Sequence, residues 1–253
     1  MKTIQYYAQK LGMEMTIEQA AMFQKYQEIL LEWNQNVNLT SITEPEDIAL
    51  KHFADSILMA PFLKTAFENK ANKFPNLSII DVGTGAGFPG IPLKILFPEL
   101  SLTLMDSLKK KIAFLDFACQ SLGLNDCVTV HSRAEDGPRS DLYREKFDIS
   151  IARAVASMPV LCEYCMPYVK VGGVFVAMKT KAEDEIDSAG QAIKLLGGEI
   201  ETCHEFFLPE SDIKRAVIVI RKTSSTPAIY PRKAGTAAKA PLGIKSIIKK
   251  SEK

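Results

Sequence analysis

Apolar residues change their spacing along this chain, and the changes divide it. Phe23, Tyr26, Leu30 and Trp33 recur every three or four positions, which predicts an amphipathic helix. Thr16 and Gln19 precede it with the spacing of a capping box. The polar stretch from Asn34 to Thr43 breaks the period. Asn36, Asn38 and Thr40 are expected to shape a turn there, with lining of a site as the alternative. Thr43, Pro45 and Glu46 mark the start of another helix, running through His52, Asp55 and Leu58. Residues 68–76 are largely polar and contain Pro75, which marks a boundary.

From Leu77 the pattern becomes one of short apolar runs separated by helical stretches. The runs are Ile79–Val82, Leu102–Met105, Val128–Val130, Phe147–Ile151, Val174–Met178 and Ala216–Ile220. The first five, spaced widely enough for crossover helices, predict a parallel sheet covered on both faces. Between Glu199 and Lys222 two strand-like runs flank a polar turn at 209–214, which predicts a hairpin and one antiparallel strand. After Lys222 no period is visible. The expected division is a helical extension over 1–76, an α/β domain over 77–222 and a basic tail over 223–253.

Composition adds little until charge is located. The chain has 253 residues and a net charge of +1. Residues 221–253 alone carry +8, which leaves −7 on the rest. A basic tail on an acidic body suits a polyanionic partner, although a solubilising tail would look the same. Five cysteines, at 119, 127, 162, 165 and 203, form no disulfide framework. With no secretory leader in view, a cytoplasmic location is expected. Cys162 and Cys165 sit three apart on an apolar stretch and read as packing, and no metal site is expected.

The chemistry-bearing motif runs from Asp81 to Gly90 and follows the first apolar run directly. Glycine permits the tight turn and close backbone approach that a ligand at a sheet edge requires. The following helix is expected to aim free N–H groups at an anionic part of that ligand. Gly83, Gly85 and Gly87 have spacing unlike the dinucleotide fingerprint. Asp81 would crowd a pyrophosphate but suits an ammonium group. Asp106 ends the next run, where a carboxylate can take both ribose hydroxyls. Together these favour S-adenosylmethionine over a nicotinamide cofactor, the competing reading. Ala134 and Glu135, after the third run, are placed to meet an adenine edge. Arg153 ends the fourth run facing the same crevice. A solvated turn remains the alternative for 132–136.

These residues resemble the bacterial ribosomal RNA guanine-N7 methyltransferases, the glucose-inhibited division protein B family. The resemblance is carried by Trp33-Asn34, Asn36–Thr40, Lys51–Ser56, Asp81–Pro92, Leu104–Ser107 with Lys109–Lys111, Arg133–Glu135, Ala152–Ala154 and Tyr230–Gly235. It implies a class I S-adenosylmethionine methyltransferase fold: α/β, a Rossmann-like, mostly parallel seven-stranded sheet with helices on both faces and an N-terminal helical extension. It implies cofactor contacts at Gly83, Phe88, Ala134, Glu135 and Arg153, which join Asp81, Gly85, Gly87, Asp106 and Ser107 as the residues expected to bind the cofactor. The implied substrate is a guanine in the decoding-region loop of 16S ribosomal RNA, naked or in a small-subunit assembly intermediate. The chain departs from the family pattern over Thr236–Leu242 and in its lysine-rich last ten residues.

Arg133, Lys179, Arg232 and Lys233 are expected to hold that RNA, with solvated surface charge as the alternative for each. His52 either lies near the substrate or hydrogen-bonds within the helical cap. The fourth strand ends Ile151-Ala152-Arg153-Ala154, without the Pro-Pro pair associated with exocyclic amine methylation. No Pro-Cys pair offers a nucleophile for carbon methylation. Guanine N7 has an in-plane lone pair and needs no proton removed, so no general base is assigned. A monomer is expected. A non-catalytic RNA-binding protein that kept its pocket is the second competing reading.

Overall fold

The computed structural model describes residues 2–67, 76–153 and 156–244. The polar boundary after Phe67, Ala154 and nearly all of the last ten residues therefore lie outside the described residues. Seven strands form one sheet in the order β3-β2-β1-β4-β5-β7-β6. The parallel set is β1 (Ser78–Val82), β2 (Ser101–Asp106), β3 (Cys127–His131), β4 (Phe147–Arg153) and β5 (Val169–Lys179). β6 (Gly198–Phe207) and β7 (Lys214–Lys222) form the expected hairpin, and β7 runs antiparallel to β5. β5 begins five residues earlier than its apolar run, because Gly172 and Gly173 interrupt the pattern but not the strand.

Alternation along the strands builds the two faces. Ile79, Leu104, Ile149, Val174, Val176 and Val219 point to one core. Ile80, Met105, Phe175, Ala177, Ile218 and Ile220 point to the other. The second core is closed by α8 (Met158–Cys165) and α9 (Glu183–Leu195). The expected packing role of Cys162 and Cys165 fits their place on α8, where both are completely buried.

The first core is closed by α6 (Gly90–Leu96), α7 (Lys109–Ser121) and the N-terminal helices α1 (Ile4–Lys10) and α2 (Ile17–Val37). On α2 the capping box forms as expected, with Gln19 N–H donating to Thr16 Oγ1. Phe23, Tyr26 and Leu30 are fully buried, and Trp33 packs on Phe114 and Phe117 of α7. The next helix starts at Pro45 but is not uniform. A short α3 (Pro45–Ile48) widens into a π-helical stretch (Ala49–Ala54), then tightens through α4 (Asp55–Ile57) toward α5 (Ala60–Phe67). π-helical insertions turn side chains off the regular period, and this one carries Lys51 and His52.

Residues 223–244, expected to be without period, lie against the body. They include only a short α10 (Thr236–Lys239). Backbone carbonyls anchor much of the segment. Arg144 donates to Thr226 O at 2.7 Å and Tyr230 O at 2.9 Å, and Arg139 to Pro231 O at 3.1 Å. No described helix is long and apolar enough to cross a membrane.

Candidate active site

In a sheet of this order, strand direction of connection reverses between β1 and β4, and ligands gather at the carboxyl ends beside that point. Two depressions open there. One, of about 550 Å³, is lined by Gly83, Asp106, Ser107, Arg133, Ala134 and Glu135, among others. The other, of about 630 Å³, is lined by Thr40, His52, Gly85, Phe88, Lys179 and Arg215, among others. Gly83 and Arg153 belong to both, so the depressions meet there.

The glycine turn is built by β1 and β2 together. Gly83 and Gly85 have φ of 72° and 64°, the left-handed region where a side chain is strained. Gly83 and Thr84 donate N–H bonds to Met105 O, and Gly85 N–H donates to Asp106 Oδ2 at 3.0 Å. Asp106 is also held by Leu108 N–H at 2.9 Å. Its carboxylate is thus fixed at the end of β2, at the edge of the first depression.

Three expectations are corrected here. Asp81 does not face either depression. It is fully buried, and its Oδ2 accepts Thr84 Oγ1 at 2.7 Å and Gly90 N–H at 2.8 Å. The start of α6 is therefore capped by the protein's own carboxylate, so Gly90 offers no free N–H to a ligand anion. Gly87 lines neither depression. A Cβ there would lie 2.5 Å from Ile91 Cδ1 and 2.7 Å from the Tyr26 hydroxyl, which itself bonds Ala86 O. Its glycine is required by packing behind the loop. Gly87→Ala is expected to cost roughly 1–3 kcal/mol from overpacking and positive φ, read from urea unfolding midpoints.

The second depression is organised by Phe88, Arg153 and the π-helical stretch. His52 stacks on Phe88, with ring centroids 4.5 Å apart and planes 15° from parallel. The Arg153 guanidinium lies 5.1 Å from the Phe88 centroid. Of the two roles considered for His52, the hydrogen bond within the cap forms, Nε2 with Thr40 Oγ1 at 2.8 Å, and the ring also lines the depression. Asn38, at φ 53°, ends α2 and Thr40 Oγ1 accepts Ile42 N–H, so both shape the turn as expected, while Asn34 also closes it by accepting from Leu39 and Thr40 N–H. Asp55, at the start of α4, accepts from Arg153 Nη1 at 2.9 Å and Arg215 Nε at 2.7 Å. One acid thus ties the helical cap to β4 and β7.

Burial, with the Arg153 charge beside it, pushes the His52 imidazole down to about 3. The unfolded chain protonates this residue near pH 6.5, so the fold loses stability as pH falls from there toward 3. Asp81 acts in the opposite sense. Burial raises it to about 6, so its cost to the fold is absent below its unfolded value and full above 6. Between about pH 7 and pH 5, wild type is expected to lose about 1–2 kcal/mol more than His52→Asn in urea unfolding. Equal losses would mean that His52 titrates as an exposed imidazole does.

The four cations expected to face RNA separate into two pairs. Arg133 and Lys233 are exposed. Lys179 donates to Ala156 O at 2.6 Å and pairs with Glu185 at 2.7 Å, inside the second depression. Arg232 is turned inward onto Glu163. Sequence reading assigned no role to Asp55, Arg215 or Glu163. A carboxylate in an otherwise apolar helical run was the available signal for Asp55 and Glu163, since such groups need a partner when buried. Among the described residues no cluster of His, Cys, Asp and Glu could hold a metal ion.

A family model described as GidB, rRNA small subunit methyltransferase G, matches residues 19–213. The Ribosomal RNA small subunit methyltransferase G of Acetivibrio thermocellus is 52% identical over 235 residues, covering 93% of each chain. That of Clostridium novyi is 47% identical over 236 residues, covering 93% of this chain and 94% of its own. Among solved structures, the cyclase SpnF superposes with a TM-score of 0.53 at 11% identity, over 82% of this chain and 97% of its own. TrmN from Thermus thermophilus gives 0.50 at 15% identity, over 69% and 53%. These distant likenesses show the fold alone, and one of them is a cyclase, so the reaction must be argued from elsewhere. The long, near-half-identical matches supply that ground: this chain belongs to the GidB family of rRNA small subunit methyltransferases G.

Proposed function

We propose that this protein transfers a methyl group from S-adenosylmethionine to N7 of a guanine in the decoding-region loop of 16S ribosomal RNA. It would act as a cytoplasmic monomer on naked RNA or on a small-subunit assembly intermediate. The observation that carries this reading is the meeting of two depressions at Gly83 and Arg153. One has the strand-end groups a nucleoside needs, and the other opens to the surface with stacked rings and cations.

The residues fit such a cofactor. Gly83 and Gly85 expose main chain without Cβ atoms, Asp106 presents a fixed carboxylate for ribose hydroxyls, and Ala134 with Glu135 lines the far wall. Asp81 supports the turn from beneath and leaves Oδ1 without a protein partner. S-adenosylmethionine, when bound, supplies a methyl group on positively charged sulfur. Guanine N7 would offer an in-plane lone pair to that methyl group. No proton moves, which agrees with a His52 held neutral and engaged by Thr40. The protein's part is to orient and to exclude water. Arg153, pinned by Asp55 and Lys51 O, fixes the junction of the two depressions. Phe88 and His52 offer apolar ring surface beside it, and exposed Arg133 and Lys233 are left to meet phosphates.

The test is methyl transfer to small-subunit RNA from cells lacking the gene, followed by borohydride reduction and aniline cleavage, which cuts at N7-methylguanine. One new cut in the decoding-region loop is expected. Label incorporated without a cut would place the methyl on another atom and overturn the N7 assignment.

A further inference from the structure

The segment that follows β7 reads as an arm for RNA, but its contacts point elsewhere. Resting on the cofactor assignment above, we propose that residues 230–242 form a strap that builds the adenosine wall of the cofactor site. Glu163 and Arg232 are the positioning residues that hold it there.

Gly235 is the strap's contribution to the first depression, which it lines together with Glu135 and Tyr164. Its N–H donates to Glu135 Oε1 at 2.8 Å, across 100 residues of sequence. Glu135 is buried, and Tyr164 lines the same depression beside it. The acid expected to face adenine is therefore oriented by the strap. Without that bond, a largely buried carboxylate would lose a partner and could turn away.

The strap is fastened three residues earlier, at Arg232. Glu163 on α8 is fully buried. Its oxygens accept the Arg232 main-chain N–H at 2.7 Å, Nε at 2.9 Å and Nη2 at 2.6 Å. Arg232 Nη2 also donates to Ala240 O at 2.8 Å, so a single guanidinium closes the strap on itself and on the body. Such a forked pairing has a fixed geometry that lysine cannot reproduce. Ala237 and Leu242 are buried, and Leu242 joins the second core. An arm shaped for phosphate would leave these donors outward. Here the forked cation faces in, and what it positions is a wall of the nucleoside depression.

The experiment uses the full chain and S-adenosylhomocysteine in calorimetric titration, with wild type, Arg232→Lys and Glu163→Gln. The expected result is roughly a tenfold or greater loss of affinity in both variants, as for loss of a charged hydrogen bond. Steady-state rates should show KM for the methyl donor raised with kcat near wild type. RNA affinity and its salt dependence should hold within about twofold. A second readout needs no variant: adding S-adenosylhomocysteine to wild type should slow hydrogen exchange of amides in the strap around Gly235. Unchanged cofactor affinity in both variants with weakened RNA binding overturns the proposal, as does absence of any slowing in the strap. Failure of wild type to bind at all would show in the first titration, and would remove the cofactor assignment itself.

Discussion

Replacing Gly85 with aspartate is expected to weaken S-adenosylhomocysteine binding by roughly 100-fold or more, about 2.7 kcal/mol. Gly85 has φ of 64° and lines the second depression. A Cβ there meets nothing closer than Lys111 Nζ at 3.8 Å, so the space is open. The new side chain would not collide with the protein; it would occupy the crevice. It would also set a carboxylate beside Asp106, which accepts the Gly85 N–H at 3.0 Å. Lys111, which pairs with Asp106 at 3.5 Å, is the nearest group to that Cβ, so the new carboxylate would also compete with Asp106 for its ammonium. Aspartate tolerates the left-handed region better than most residues, so thermal stability should change little. Gly85→Ala separates the effects, since it adds the strain without the charge and should lose far less affinity. Wild-type affinity in Gly85→Asp, by calorimetry, would place the ligand somewhere other than this turn.

Removing the acid that joins the cap to the sheet should be the most damaging change to stability. Asp55→Ala is expected to cost about 3 kcal/mol or more in urea unfolding, because breaking a buried ion pair leaves the remaining charge uncompensated. Two guanidiniums would be left, Arg153 and Arg215, whose side chains are only 13% and 17% exposed. Water reaches them slightly, which sets the expectation at the lower end of that range. Arg153 would also lose its fixed place at the junction of the two depressions, and methyl transfer should fall more than tenfold. Asp55→Asn, which keeps an acceptor for one arginine, should lie between. A variant within 1 kcal/mol of wild type would mean that the two arginines find other partners and that Asp55 does not organise this junction.

The sheet was legible because its strands are short apolar runs bounded by turns, and the glycine turn because few other structures need that residue so densely. The hairpin at the end of the sheet was legible for the same reason. What was not legible shares one physical cause. Arg153 and Arg215 lie 98 and 160 residues from Asp55 in sequence, and Gly235 lies 100 from Glu135. Polar pairing across such spans leaves no period. The strap after β7 shows none either, because arginines hold its carbonyls where an apolar face would otherwise hold side chains. Asp81 was readable as an acid of the turn, but its direction was not. Only the fold shows that its oxygen turns beneath the loop to Thr84 and Gly90. The π-helical stretch that presents His52 likewise looks, in sequence, like ordinary helix.

The most direct test of the account is a crystal structure of the full chain grown with S-adenosylhomocysteine. The expected result is one molecule across the carboxyl ends of β1, β2 and β3, its amino-acid end on the main chain of Gly83 and Gly85. Its ribose would lie on Asp106 and its adenine between Ala134–Glu135 and Gly235. Density elsewhere with that crevice empty, or a ribose turned away from Asp106, would contradict it.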